Sequence, residues 1–348
     1  MTIDVDALAG PLADAVAEDA FSGVITIDVG DERVLGQAHG FAHRALAVPT
    51  TSSTRFAIAS GSKAFTALAV MRLVEDGALR LSDPVRPVLG NDLPLVDDAV
   101  TIEQLMEHTS GIGDYLDEDS DWEVDDYVLP IPVHELAQTE AFVRVVDGYP
   151  QKSQPGQQFN YCNGGNILLA VVAERVSGVP FHDLVEREVC DRAGLASTRF
   201  LRSDDLPGDA ALGYLASAGN RTNVLRLPVR GNGDGGMYTS ADDLHRFWRA
   251  LTAGDVVSTT SVAAMTRPRH EVPREGMRYG LGLWLGASGP ALVLEGYDAG
   301  VSFRSTHDPE TATTVSVLGN TSEGAWPVIA VLADVASPAR SLGHPPTI

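Results

Sequence analysis

Between Phe56 and Met71 the sequence reads Phe-Ala-Ile-Ala-Ser60-Gly-Ser-Lys63-Ala-Phe-Thr-Ala-Leu-Ala-Val-Met. This stretch constrains the fold more than any other, because it is apolar on nearly every side from Lys63 onward and yet carries an amine. A helix that is apolar all round is buried. The run continues to Arg72, Glu75 and Asp76, and Gly77 supplies a stop. A lysine near the start of such a helix is costly to desolvate, and burial favours its neutral, basic form. Ser60 lies three residues before Lys63, on the same helical face. It also sits at the positive end of the helix dipole, which favours developing negative charge. A hydroxyl beside a desolvated amine is a route to an activated serine without histidine. The same two residues also suit a helix-capping serine and a lysine that snorkels to water, and Ser-x-x-Lys arises by chance in many chains. The pair alone does not decide between these.

Strand signals stand at both ends of the chain. Residues 22–30 and 33–40 read as a hairpin across Gly30-Asp31, and strands recur over 279–285, 291–294, 301–306 and 313–318. Helical periodicity predicts helices over 5–20, 60–76, 134–146, 165–176, 181–189, 241–252 and 325–335. Thr101-Ile-Glu-Gln104 has capping-box form and opens a short helix ending near His108. Residues 114–132 are acidic (Asp114, Asp117, Glu118, Asp119, Asp121, Glu123, Asp125, Asp126) and read as a solvated loop or flap, and 201–230 as a long connection. At 348 residues one large domain or two intimately joined ones are expected. The pattern predicts an α+β chain. An α/β sandwich with an antiparallel sheet comes from residues 1–60 and 230–348, a mostly helical domain over 61–229 is inserted, and the active site lies at their interface.

Charge and composition narrow the function. The formal net charge is −22, from 25 Lys+Arg against 47 Asp+Glu. That excludes nucleic acid and anionic membrane surfaces as expected partners, and it also serves solubility. The opening Met-Thr-Ile-Asp-Val-Asp has neither a basic region nor an apolar run, and no apolar run approaches membrane-spanning length. Cys162 and Cys190 are too few for a disulfide framework or a sulfur-based zinc site, so a cytoplasmic protein is expected. No His, Asp and Glu spacing suggests a metal, since His134-Glu135 lacks the second histidine of H-E-x-x-H. Gly231-Asn-Gly-Asp-Gly-Gly236 fits G-x-G-x-x-G, but no helix opens directly behind it and the cap signal Ser240-Ala-Asp-Asp243 comes later. The dinucleotide reading is therefore set aside, and no cofactor is expected.

A second motif lies in the loop after Pro155-Gly156, where Tyr161 and Asn163 flank Cys162. Alternation directs both side chains the same way, and a phenol close to an ammonium has its anion favoured and can relay protons. An aromatic packing residue beside a turn-forming asparagine would look the same. With both motifs in hand the chain resembles the serine hydrolases of the penicillin-binding-protein and class C β-lactamase superfamily, whose members include esterases and D-amino-acid peptidases. Ser60-Gly-Ser-Lys63 resembles their Ser-x-x-Lys, and Tyr161-Cys-Asn163 their Tyr-x-Asn. Leu105-Met-Glu-His108-Thr-Ser-Gly111, Pro155-Gly156, Gly235-Gly-Met-Tyr-Thr-Ser-Ala-Asp-Asp243 and Tyr279-Gly-Leu-Gly282 fit in order, over about residues 20 to 320.

The resemblance implies a β-lactamase/transpeptidase-like fold and an acyl-transfer hydrolase. Ser60 would be the nucleophile, Lys63 with Tyr161 the base, and Asn163 a holder of Lys63 and of a substrate polar group. His108 is read as structural. The family's third motif, Lys-Thr-Gly or His-x-Gly, finds its best counterpart in Leu294-Glu295-Gly296, with Gly300 at the family's second glycine. There the cation is replaced by Leu294, which by strand alternation faces the cleft. Gly296 lets substrate lie against the strand, and the N–H of Tyr297 completes an oxyanion hole with that of Ser60. Small neutral esters or amides are the expected substrates, unless Arg230 or Arg304 supplies a cation from elsewhere. Replacing Leu294 by lysine is expected to raise turnover of carboxylate-bearing substrates. The alternatives are a β-lactamase or D,D-carboxypeptidase, or a catalytically weak binding protein of the same fold. The sequence leaves the oligomeric state open.

Overall fold

The computed structural model describes residues 3–117 and 127–335. Its framework is an antiparallel sheet of eight strands, ordered β2-β1-β12-β11-β10-β9-β8-β7. Strands β1 (Gly23–Val29) and β2 (Glu32–His39) form the expected N-terminal hairpin. The rest come from the C-terminal part: β7 (His270–Val272), β8 (Met277–Tyr279), β9 (Trp284–Leu285), β10 (Leu292–Asp298), β11 (Val301–Asp308) and β12 (Thr313–Gly319). The two ends of the chain join where β1 pairs with β12, from Gly23 opposite Gly319 to Val29 opposite Thr313. Two short ribbons, β3 (Phe41–His43) with β4 (Val48–Pro49) and β5 (Phe56–Ala57) with β6 (Tyr238–Thr239), were not anticipated.

Both faces of the sheet are covered, and strand alternation separates them. Ile25 and Ile27 of β1 and Val315 and Val317 of β12 pack with α1 (Val5–Glu18) and α10 (Trp326–Leu332). Val24, Leu292, Leu294, Phe303 and Leu318 face the other way, into a larger core shared with the helices. Those helices are α2 (Lys63–Glu75), α3 (Arg86–Leu89), α4 (Ile102–Met106), α5 (Val143–Val146), α6 (Asn163–Ser177), α7 (Phe181–Val185), α8 (Ala241–Ala253) and α9 (Thr259–Met265). Their ends carry the chemistry that stops and starts helices. Thr101 forms a full capping box with Gln104, Ser240 caps α8 through the N–H of Asp243, and Gly178 and Gly254 close α6 and α8 in the left-handed conformation. Among the described residues no helix is long and apolar enough to cross a membrane.

Three expectations need correction. The helix predicted over 134–146 is broken into the 3-10 turns Val133–Glu135 and Thr139–Phe142 followed by α5. The carbonyls of Val133 and Leu136 accept N–H groups from Val229 and Arg230, at 3.0 and 3.2 Å, which compete with the bonds a continuous α-helix would make. The strand predicted over 279–285 is two strands, because Gly282 turns the chain at φ +78° between β8 and β9. The solvated loop predicted over 114–132 does not begin as one, since Asp114 is buried and Asp117 pairs with Lys152. Residues 118–126 of that stretch lie outside the described residues.

Candidate active site

The 3-10 turn Ala59–Ser62 carries Ser60 into the start of α2. Ala59, immediately before it, holds φ +43°, a left-handed conformation that is strained for a residue with a Cβ. Ser62 pins the turn by donating to the Ala59 carbonyl at 2.8 Å and accepting the N–H of Met237 at 3.0 Å. Gly61 donates to the Ile58 carbonyl at 2.8 Å, and a Cβ on it would meet the Phe303 ring.

Lys63 is buried, and its Nζ donates to Ser60 Oγ at 2.7 Å, Asn163 Oδ1 at 2.8 Å and the Asp234 carbonyl at 2.7 Å. An ammonium has three donors, and these three acceptors come from three separate parts of the chain. The loss of one proton would leave a lone pair directed at the serine hydroxyl. Tyr161 stands beside this group, with its ring centroid 5.1 Å from Lys63 Nζ. Its ring stacks on Trp284 at 5.8 Å and lies 4.4 Å from the His108 ring.

Asn163 is the first residue of α6, and its helix N-terminus is capped from a distance. Asp114 accepts the backbone N–H of Asn163 at 2.5 Å and that of Gly164 at 2.9 Å, while Asn163 Nδ2 donates to the Leu116 carbonyl at 3.1 Å. Burial raises the Asp114 carboxyl to about 6, against the pull of the N–H donors and of Lys63. Asp234 is a second acid of the site, half-buried. It accepts the Tyr115 hydroxyl at 2.5 Å, and burial raises its pKa while Lys63 opposes the shift.

His108 is buried at φ +58°. Its Nδ1 accepts the N–H of Cys162 at 3.1 Å, so Nε2 carries the proton and donates to Tyr279 Oη, also at 3.1 Å. Burial and the Lys63 charge push its pKa well below the usual range. The imidazole therefore stays neutral and holds the segment that presents Tyr161.

Strand β10 passes beside the serine. A Cβ on Gly296 would lie 2.0 Å from the Ile58 carbonyl and 3.0 Å from the Ser60 nitrogen. The Tyr297 side chain points to the opposite face, where it packs on Trp326 and bonds Glu323, so only its backbone belongs to the Ser60 side. Leu294 shares the Gly296 face but does not line an open cleft: it is 2% exposed and sealed in the main core. Neither arginine considered as a replacement cation reaches the site. Arg304 pairs with Glu295 and lies over Trp326 on the far face. Arg230 donates to the Phe200 carbonyl at 2.9 Å, with Asp183 and Glu186 as its acidic neighbours.

A neighbouring cleft is walled by Ala57, Tyr115, Asn223, Asn232, Asp234 and Asp298, and meets the Ser60 group only through Asp234, since Ser60, Lys63 and Tyr161 do not line it. A second lobe adds Tyr127, Leu129, Arg226 and Leu227. Sequence reading missed Asp114, Tyr115, Asp234 and Trp284. Asp114 had a signal, as the one acid between Glu107 and Asp117 in a run of small and apolar residues. Asp234 sits in the Gly231–Gly236 run, where the lack of side chains lets the backbone approach Lys63 closely.

Comparison with known proteins agrees with this architecture. The Beta-lactamase family matches residues 8–337. Penicillin-binding protein 4* of Bacillus subtilis is 28% identical over 285 residues, covering 78% of this chain and 60% of that protein. Esterase EstB of Burkholderia gladioli is 30% identical over 287 residues, with 72% of each covered. The crystal structure of a penicillin binding protein from Bacillus halodurans superposes with a TM-score of 0.86 at 35% identity, over 93% of this chain and 99% of that one. Against the curated relatives it matches first, the chain spans 60–65% of their length.

Proposed function

From the premise that this chain belongs to the beta-lactamase family, an α+β fold of serine hydrolases, we propose that it is an acyl-transfer hydrolase of small esters or amides. The observation that carries the reading is the buried Lys63 amine, held between Ser60 Oγ and Asn163 Oδ1. In the proposed cycle Ser60 Oγ attacks the substrate carbonyl carbon while Lys63, with Tyr161, takes the hydroxyl proton. The N–H groups of Ser60 and Tyr297 receive the charge that develops on the carbonyl oxygen. The proton passes to the leaving group as its bond breaks, leaving an acyl-enzyme on Ser60. A water molecule, deprotonated by the same pair, then releases the acid and restores the serine.

Neutral substrates are favoured in this reading, because position 294 on β10 is apolar and Arg230 and Arg304 are engaged elsewhere. A β-lactamase or D,D-peptidase role is supported by the name of the matched family and by the names of the penicillin-binding relatives. The proposal includes a cytoplasmic location, supported by two buried and unpaired cysteines.

Intact-protein mass spectrometry after exposure to a fluorophosphonate, a panel of activated esters and β-lactams tests the reading. One fluorophosphonate adduct is expected on wild type and none on Ser60→Ala, with ester hydrolysis lost in parallel. Labelling that persists in Ser60→Ala and maps to Ser62 or Ser110 would sink the assignment. Stable adducts with β-lactams and no ester turnover would move the protein to the penicillin-binding role.

A further inference from the structure

Two of the three acceptors of Lys63 lie far from it in the chain, and one short segment reaches both. Asp114 accepts the backbone N–H groups of Asn163 and Gly164, and the Leu116 carbonyl accepts Asn163 Nδ2 at 3.1 Å. That grip leaves Asn163 Oδ1 directed at the amine. Tyr115, between them, reaches instead to Asp234, and its hydroxyl donates to the Asp234 carboxylate at 2.5 Å. The Asp234 carbonyl is the third acceptor, 2.7 Å from Nζ. The Tyr115 carbonyl in turn accepts the Tyr127 hydroxyl at 2.8 Å, which ties the segment to the wall of the neighbouring cleft.

Asp234 stands in the run Gly231–Gly236, where four of six residues are glycine. Glycine leaves a backbone many conformations, so this run takes its shape from what touches it. Asn232 and Gly235 exchange backbone hydrogen bonds at 3.0 and 3.2 Å, which puts Gly233 and Asp234 at the tip of a tight turn. Thr66, one helical turn after Lys63, donates to the Gly233 carbonyl at 2.6 Å. Among the described residues the Asn232 amide has no hydrogen-bond partner, so Asp234 supplies the side chain by which the run is gripped. Burial of the phenol, and then the Asp234 charge, hold the Tyr115 pKa well above its usual range, so the hydroxyl remains a donor.

We infer that Tyr115 is a positioning residue for the proposed acyl transfer: through the Asp234 side chain, its hydroxyl sets the Asp234 carbonyl on Lys63. The inference rests on the acyl-transfer reading above and adds a residue to it. With Asp114 and Leu116, Tyr115 belongs to one segment that orients both distant acceptors of the amine. An amine held by acceptors in fixed directions exchanges the Ser60 proton along one line, and displacing an acceptor tilts it. Tyr115 also lines the neighbouring cleft, where the competing role is a wall for substrate. The two roles move different quantities. A positioning role lowers kcat for every substrate, whereas a wall changes KM with the substrate's shape or charge.

The test uses the full chain with p-nitrophenyl hexanoate and the p-nitrophenyl adipate monoester, and takes rates per site titrated by fluorophosphonate. Tyr115→Phe, which keeps the ring, is expected to lower kcat by roughly ten- to a hundredfold for both esters at nearly unchanged KM. In an Asp234→Ala background the same change should cost no more than about twofold, because the side chain it acts through is gone. Asp234→Asn, which still accepts the hydroxyl, should keep most of the kcat that Asp234→Ala loses. An unchanged kcat in Tyr115→Phe, with or without a KM change confined to one ester, would overturn the inference. Equal losses from Tyr115→Phe in both backgrounds would overturn it too, since the hydroxyl would then act without Asp234. A loss in Asp234→Asn equal to that in Asp234→Ala would replace the hydroxyl's grip with an effect of charge. Where Asp234→Ala does not fold, the kcat and KM of Tyr115→Phe decide alone. Absence of both ester turnover and fluorophosphonate labelling in wild type would instead remove the acyl-transfer reading, which distinguishes the two failures.

Discussion

The Asp114 carboxylate caps α6 at the backbone nitrogen of Asn163, 2.5 Å away, and the side chain of that same Asn163 holds Lys63. The first N–H groups of a helix have no partner within it and attract negative charge. Here a loop nearly fifty residues upstream supplies that charge, so the position of the candidate base depends on a residue that does not touch it.

Asp114 should impart a pH dependence with a definite sign. Its folded-state pKa is raised from 3.8 to about 6. Between these values the folded chain holds a proton that the unfolded chain has lost. The stability contribution is thus full below the unfolded pKa and is lost as pH rises through the folded one. The urea midpoint of wild type relative to Asp114→Asn should fall as pH rises from about 4 to about 6. In ester turnover, protonation removes an acceptor from the α6 N-terminus, so wild-type kcat should decline below about pH 6. An acid limb that survives unchanged in Asp114→Asn would assign it to another group.

Tyr161→Phe keeps the ring that stacks on Trp284 and removes the hydroxyl. If the phenol relays protons with Lys63, kcat for an activated ester should fall by roughly 10²-fold. An unchanged kcat with a raised KM would make Tyr161 a packing residue and leave Lys63 to act alone.

Gly296→Ala is expected to damage the site out of proportion to its size. The added methyl would meet backbone atoms of Ile58 and Ser60, which cannot rotate aside. An overpacking cost of about 1–3 kcal/mol is expected in denaturant unfolding. Fluorophosphonate labelling should slow as well, since the clash is at the serine. Wild-type labelling at full stability would show that β10 lies further from Ser60 than described.

Leu294→Lys reverses the expectation drawn from the sequence. With Leu294 at 2% exposure in the main core, the new ammonium would be desolvated rather than presented to substrate. A loss of about 2–5 kcal/mol in unfolding free energy is expected, with no gain on carboxylate-bearing esters. A stable variant with raised adipate-monoester turnover would show that the side chain borders the cleft after all.

Ser60 and Lys63 could be paired from sequence because their contact is local, set by helical spacing three residues apart. The hairpin of β1 and β2, the capping box at Thr101 and the core strands were legible for the same reason, since alternation and capping act over a few residues. The helix expected over 134–146 failed where Arg230 takes the Leu136 carbonyl and Val229 that of Val133 just ahead of it, and nothing within the segment announces a competitor so distant in the chain.

Local sequence thus determined that Ser60 and Lys63 could meet, and that the chain would build a sheet from its two ends. Tertiary structure decided the surroundings of that pair. It brought Asn163 to Lys63 across 100 positions and the Asp234 carbonyl across 171. It also turned Arg230 and Arg304 away, sealed Leu294 in the core and left Asp298 in the cleft. Burial is a property of what packs against a residue. A side chain's spacing restricts the face it occupies, and only the folded neighbours determine whether that face meets water, protein or substrate.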